Sequence, residues 1–375
     1  MNSNAATGTT TLAALLARGR DGESWDGALD LSLVRQAKGH DVGPLVYRAL
    51  HRSGAWARQP DEVRQALTQI AGETALLDQL RLGHDRRVIA ALAAAGVSPL
   101  LFKGAALAHR HYPESWLRPR VDTDLLIRAS ERNAAASVLE RLGYGRAERP
   151  TGDHVTHQFT YVRATPAGRI EYDVHWKIAD PQVFADVLTV DEAAQRSVPM
   201  PVLGDAARAI SDVDALVVAC THRVAHHFDT NCLLYLYDID LLARRLGDAD
   251  WDRVAAIAAQ KRVRRVCARG LTLAAGLLAT PAPARVSRAM AVDESEPSAS
   301  YLAPELRRVD ILRSDLLALG WRARVRLLRE HLLPPPEYVL RSYGTRHTAL
   351  LPALYVHRIV RGAFKWVRPL KERGS

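Results

Sequence analysis

Asp122-Thr123-Asp124 sets two carboxylates at i and i+2, and in an extended segment residues so spaced point to the same side of a strand. Carboxylates in that arrangement can share divalent cations, and such cations hold a triphosphate for in-line attack. The run Val121-Asp122-Thr123-Asp124-Leu125-Leu126-Ile127 is acidic at its start and apolar afterwards, which predicts a buried strand whose N-terminal end lies in a cleft. Acid pairs of this kind abound in loops and helix caps. The surrounding elements must therefore supply the context.

Residues 97–102 read as a short apolar strand that ends at Lys103-Gly104, and residues 105–112 suit a short helix broken by Pro113. After the acid pair, a helix opened by Ser130 runs to Leu142, where Gly143 ends it. Residues 155–164 and 169–178 flank Thr165-Pro166-Ala167-Gly168, which reads as a hairpin turn. The second hairpin strand alternates. Ile170, Tyr172, Val174, Trp176 and Ile178 fall on one face, and Glu171, Asp173, His175 and Lys177 on the other. That polar face either is solvated or brings a third acid, Asp173, to the first two.

Helical patterns flank this centre. Pro60-Asp61-Glu62 is a helix start with proline and acids in the first turn, and residues 63–95 carry helical spacing, read as two helices in tandem stopped by Gly96. Beyond Pro199-Met200-Pro201, helices are expected over 212–228, 233–246, 251–260 and 263–278. Residues 290–300 have linker composition. A last helical region contains Pro334-Pro335-Pro336 and ends in an amphipathic basic stretch at 350–367. The expected organisation is an N-terminal helical region (1–95), an α/β core (96–200), a helical domain (201–290) and a C-terminal helical region (301–375). The fold class is α+β, mostly α overall.

The chain has 375 residues, 48% of them hydrophobic, enough for a substantial core. No stretch approaches the roughly 18 unbroken apolar residues of a membrane span. The N-terminus lacks a basic segment followed by an apolar one, and the three cysteines (Cys220, Cys232, Cys267) fit no disulfide or zinc spacing, so a reduced cytoplasm is the expected setting. The net charge of +10 invites a nucleic-acid partner, but only six of the 51 basic residues are lysine. Such an excess of arginine, beside abundant alanine, reads as coding bias. A polyanionic substrate explains the charge equally well.

The order of strand, Lys-Gly turn, helix, D-x-D strand, helix and hairpin strand with a third acid resembles the nucleotidyltransferase superfamily with a DNA polymerase β-type palm. More closely, the chain resembles the uncharacterised nucleotidyltransferase family, on Leu100-Leu101-Phe102-Lys103-Gly104-Ala105-Ala106-Leu107-Ala108, Tyr112-Pro113, Leu117-Arg118, Asp122 to Ile127, Leu142-Gly143-Tyr144 and Glu171-Tyr172-Asp173-Val174-His175-Trp176. Asp214-Ala215-Leu216 with His222, Leu236-Tyr237-Asp238-Ile239, Tyr343 and Tyr355-Val356-His357-Arg358 extend the likeness. The wider superfamily has Gly-Ser where this chain has Lys103-Gly104.

The resemblance implies a small mixed-sheet palm and Mg²⁺-dependent transfer of a nucleoside monophosphate, with a two-ion site on Asp122, Asp124 and Asp173. Asp173 would also serve as the candidate general base. Lys103, Gly104, Arg118 and His175 are the expected nucleotide-binding residues, with a nucleoside triphosphate such as ATP as donor. The acceptor, a small molecule, peptide or protein, is not legible, and a natural-product or peptide-modification pathway is one possible setting. Glu171 is a weaker substitute for Asp173. His222 and His226, four apart, read as helix packing in the absence of a nearby carboxylate or cysteine at diagnostic spacing. Asp238 and Asp240 read as partners of backbone or arginine. Three other readings stay open: a nucleotide-binding regulator without turnover, a basic helical protein docking on nucleic acid or a membrane surface through residues 350–367, and an enzyme that transfers the terminal phosphoryl group and releases ADP.

Overall fold

The computed structural model describes residues 3–147, 154–166, 168–291, 296–368 and 370. The expected turn residue Ala167 and part of the expected linker, residues 292–295, lie outside the described residues. The chain opens with α1 (Ser3–Asp21), α2 (Leu31–Gly39), α3 (Gly43–Arg52) and α4 (Asp61–Ala94). There follow β1 (Leu100–Leu101), α5 (Lys103–His111), β2 (Thr123–Leu126), α6 (Arg132–Arg141), β3 (Gly145–Arg146), β4 (Gln158–Thr165) and β5 (Gly168–His175). Two short helices, α7 (Gln182–Ala185) and α8 (Val190–Arg196), lead to β6 (Val198–Pro199) and β7 (Arg208–Ala209). The rest is helical: α9 (Asp212–Ala225), α10 (Leu233–Ala243), α11 (Asp248–Gln260), α12 (Arg264–Leu278), α13 (Ala284–Met290), α14 (Arg308–Ala318), α15 (Trp321–Leu332), α16 (Pro336–Ser342) and α17 (Leu351–Val367). No described helix is long and apolar enough to cross a membrane. The α+β class, mostly helical, holds.

The strands form one mixed sheet in the order β3-β4-β5-β2-β1-β7-β6. β2 runs parallel to β5 and β1 parallel to β7, and the other pairs are antiparallel. Two apolar clusters sandwich it. On one face Leu125, Tyr172 and Val174 pack with Val88 and Leu92 of α4 and Val138 of α6. On the other, Leu100, Phe102 and Leu126 join a larger cluster that runs without a break into α1, α3, α9, α10 and α12.

Residues 63–95 are not two helices. α4 is a single helix of 34 residues, roughly 50 Å long. Val63 and Leu67 pack in the larger cluster and Val88, Ile89 and Leu92 in the sheet cluster, while Asp78, Arg81 and Asp85 are buried between them. The two apolar stripes therefore serve two cores along one continuous element. With no proline to interrupt the backbone, nothing forces a break. Gly96 stops the helix with φ of +75°, as expected.

Other boundaries move by a few residues. β1 keeps only Leu100 and Leu101, and α5 starts at Lys103 rather than Ala105. β5 ends at His175, so Ile178 leaves the alternating face and joins the opposite cluster. The helix expected from Ser130 begins as a turn at Ala129–Glu131, closed by the Glu131 carboxylate accepting from the Arg128 N–H at 2.8 Å.

Candidate active site

The parallel pairing of β2 with β5 sets Asp124 beside Asp173 and Leu126 beside His175, so the two acids stand side by side on one face. That face is not solvated: Glu171, Asp173 and His175 are all buried. Among the described residues, ligand atoms of Asp124, Asp173 and His175 converge to within 4.8 Å of one another. Asp122, one residue ahead of β2, lines the same cleft but stands outside that closest group. The cleft is about 510 Å³, and its lining includes Asp122, Asp124 and Asp173 together with Lys103, Gly104 and Arg118.

Each acid has a different environment. Asp124 accepts from Lys103 Nζ and from His175 Nε2, both at 2.9 Å and both on the same oxygen. Burial alone would raise the Asp124 carboxyl, but Lys103 and His175 outweigh it and hold the group well below the usual carboxylate range. Asp173 accepts from Gln158 Nε2 at 2.6 Å and from Thr160 Oγ1 at 2.5 Å, one on each oxygen. Burial, and then the charges of Asp124 and Asp173, push Asp122 up to about 7. Carboxylates gathered at one cleft suit a bound cation, and oxygen donors suit a hard one such as Mg²⁺. His175 is held neutral by burial and by Lys103. Its Nε2–H therefore serves Asp124 as a donor.

A raised carboxyl loses stability as pH increases, because the native state binds the extra proton only below its own pKa. Without divalent cation, the stability contributed at Asp122 is expected to fall from pH 5.5 to pH 8 by about 1–2 kcal/mol, less than the full shift implies because the cleft admits water. Asp122→Asn should abolish that slope, and Mg²⁺ should restore wild-type stability at pH 8. Thermal melts at both pH values, with EDTA and with Mg²⁺, check this. Parallel melts for the two proteins would count against the electrostatic account.

The Lys103-Gly104 turn departs from ordinary backbone. Lys103 sits at φ +52°, the left-handed region that favours glycine, where the wider superfamily has glycine itself. Holding it there points the ammonium at Asp124 and starts α5 directly behind. Gly104 is needed for a separate reason: a Cβ would come within 2.9 Å of Arg118 Nη1. Arg118 cannot yield, since its Nε and Nη2 donate to the two oxygens of Asp238 at 2.9 and 2.7 Å, with both side chains buried. The Tyr112 hydroxyl donates to the same carboxylate at 2.7 Å. Asp238 thus pairs with arginine, as expected. Asp240 does the same with Arg20 and Arg244, and accepts from Thr280.

His222 and His226 pack against each other as expected, ring centroids 4.9 Å apart. Both also line the cleft, together with His227 and Tyr235. His222 and His227 Nε2 atoms lie 3.2 Å apart. Burial, and then the charge of Lys103, lower His226 to about 3 and His227 to about 4 and hold His222 well below the usual range, so this wall is neutral near pH 7. The i, i+4 spacing placed the first two on one helix face; only packing decided that the face borders the cleft.

Two supporting groups escaped the sequence reading. Asp85 on α4 is fully buried and accepts from Thr123 Oγ1 at 3.0 Å, from the Tyr172 hydroxyl at 2.8 Å and from Arg120 at 3.2 Å. It fixes the middle residue of the acid pair from behind the sheet, and no local spacing announces it. Thr160, by contrast, was findable, since counting back from the Thr165–Gly168 end of the hairpin pairs it with Asp173.

A mixed sheet presenting clustered acids to a cleft, beside a glycine-containing helix start, agrees with the palm that the sequence led us to expect. The chain belongs to the uncharacterised nucleotidyltransferase family, whose model matches residues 29–279. Tyr343 and the 355–358 segment, taken as part of the resemblance, fall outside that match. No curated protein and no solved structure matches the chain. The three cysteines are free.

Proposed function

We propose that this protein transfers a nucleoside monophosphate from a nucleoside triphosphate to a hydroxyl or phosphate acceptor, with release of pyrophosphate. The observation that carries the reading is the in-register placement of Asp124 beside Asp173, with Asp122 lining the same cleft. Asp122, Asp124 and Asp173 would hold Mg²⁺, which when bound supplies charge neutralisation on the phosphates and acidifies the acceptor. The chain's own residues do the positioning. Thr160 and Gln158 orient Asp173, and His175 and Lys103 orient Asp124 and hold it ionised. Lys103, Gly104 and the Nη1 side of Arg118 form the end of the cleft suited to the triphosphate tail, with the Gly104 backbone open to close approach. The wall of His222, His226 and Tyr235 is where the acceptor or nucleoside would lie. The free cysteines suit a reducing compartment such as cytoplasm.

A second reading, nucleotide binding without turnover, is favoured by one observation: the Lys103 ammonium already pairs with Asp124. Incubation with Mg²⁺ and α-labelled nucleoside triphosphates, with and without cell extract, separates the two. Acceptor-linked label with pyrophosphate release is the expected result. Metal-dependent nucleotide binding by titration calorimetry, with no pyrophosphate released under any condition, would establish the binder instead.

A further inference from the structure

α15 turns an apolar stripe away from the protein. Trp321, Val325, Leu328 and Leu332 recur at i, i+4, i+7 and i+11, an arc of roughly 60° on a helical projection. They are 70%, 59%, 37% and 46% exposed. Leu327, well round the helix from them, is buried and seats α15 on the chain. The orientation is fixed by Glu330, the only acid of α15, whose carboxylate accepts from the backbone N–H groups of His154 and Val155 at 2.9 Å. The stripe faces outward because the other side is committed.

Arginines border it. On the projection Arg322, Arg326 and Arg329 run along one edge and Arg324 along the other, and all four are exposed. α17 repeats the pattern with exposed Val356, Ile359 and Val360 beside Arg361. It is tied to the end of α15 by Arg358 Nη1 donating to the His331 carbonyl at 2.8 Å and the Tyr355 hydroxyl donating to the Pro334 carbonyl at 2.7 Å.

We propose that α15, assisted by α17, is an interfacial anchor that lays this protein on an anionic lipid surface. A narrow apolar stripe with a tryptophan at one end can enter the headgroup boundary, while arginines on both sides reach lipid phosphates. Charge complementarity selects this occupant. No acid interrupts the exposed borders of α15, where four exposed arginines stand. The sequence pointed to residues 350–367 for such a role; the structure puts the better-formed stripe on α15. Both helices lie outside the span matched by the family, so the inference stands apart from nucleotidyl transfer.

The test uses the full chain and sucrose-loaded vesicles of phosphatidylcholine, with and without about 30% phosphatidylglycerol. The protein should sediment with the anionic vesicles, less so as salt rises, and not with the neutral ones. Trp321→Ser combined with Leu328→Ser should lower partitioning by about tenfold or more while circular dichroism is unchanged. Arg324→Glu with Arg326→Glu should abolish the preference for anionic lipid. Failure to sediment with anionic vesicles, or equal binding by the serine variant, overturns the proposal. So does a wild-type dimer in light scattering that the serine variant splits, with no vesicle binding, since a second copy would then cover the stripe.

Discussion

Asparagine at position 124 is expected to lower nucleotidyl transfer by about a thousandfold or more. Asp124 is the acid with the most invested in it. It pairs with Asp173 across the sheet, takes two donors on one oxygen and is held ionised by them. The amide keeps the shape but can neither neutralise Lys103 nor bind a hard cation with a full charge. A buried ammonium left without its partner also costs stability, on the order of 3 kcal/mol. Activity and folding must therefore be read separately. Asp124→Asn with Lys103→Met removes the uncompensated charge, so it should recover the melting temperature of the wild type while transfer stays absent. Label transfer within tenfold of wild type in Asp124→Asn would remove the acid cluster from the chemistry.

The second large effect is on stability. Asp238→Ala should cost about 3–5 kcal/mol, because Arg118 would keep its buried charge and lose its two-pronged partner. Tyr112 would lose its acceptor as well. The pair joins the loop ahead of β2 to α10, so it fastens the helical wall of the cleft to the sheet. Urea unfolding measures the loss as a lower midpoint at unchanged slope. Arg118→Met with Asp238→Leu should regain most of it, as buried ion pairs replaced by apolar groups commonly do. If the proposed role of Arg118 at the triphosphate is right, nucleotide affinity will not return with the fold. A full recovery of nucleotide binding in the double variant would reduce Arg118 to a strut.

Local chemistry made much of the centre readable. Period-2 alternation over 170–174, Gly96 and Gly143 at helix ends, and the two strands on either side of the expected turn depend on nearest neighbours along the chain, and the structure has them where expected. Boundaries set by packing were less readable. α4 runs on because its two apolar halves meet different cores, and β5 ends at His175 because Ile178 is drawn to the opposite cluster. His222 and His226 have the spacing of one helix face, but that face borders a cleft only because α9 lies across from the acids.

From the sequence alone came the two acidic strands, the glycine-containing helix start and the helical flanks, since spacing and residue type fix which side chains can share a face. The tertiary structure decided that Asp173 lies beside Asp124, that Lys103 occupies a left-handed backbone and reaches Asp124, and that Arg118 is locked by Asp238. Those facts depend on the register between strands distant in sequence and on desolvation of paired charges. Both arise only when separate elements pack, so no window of residues carries them.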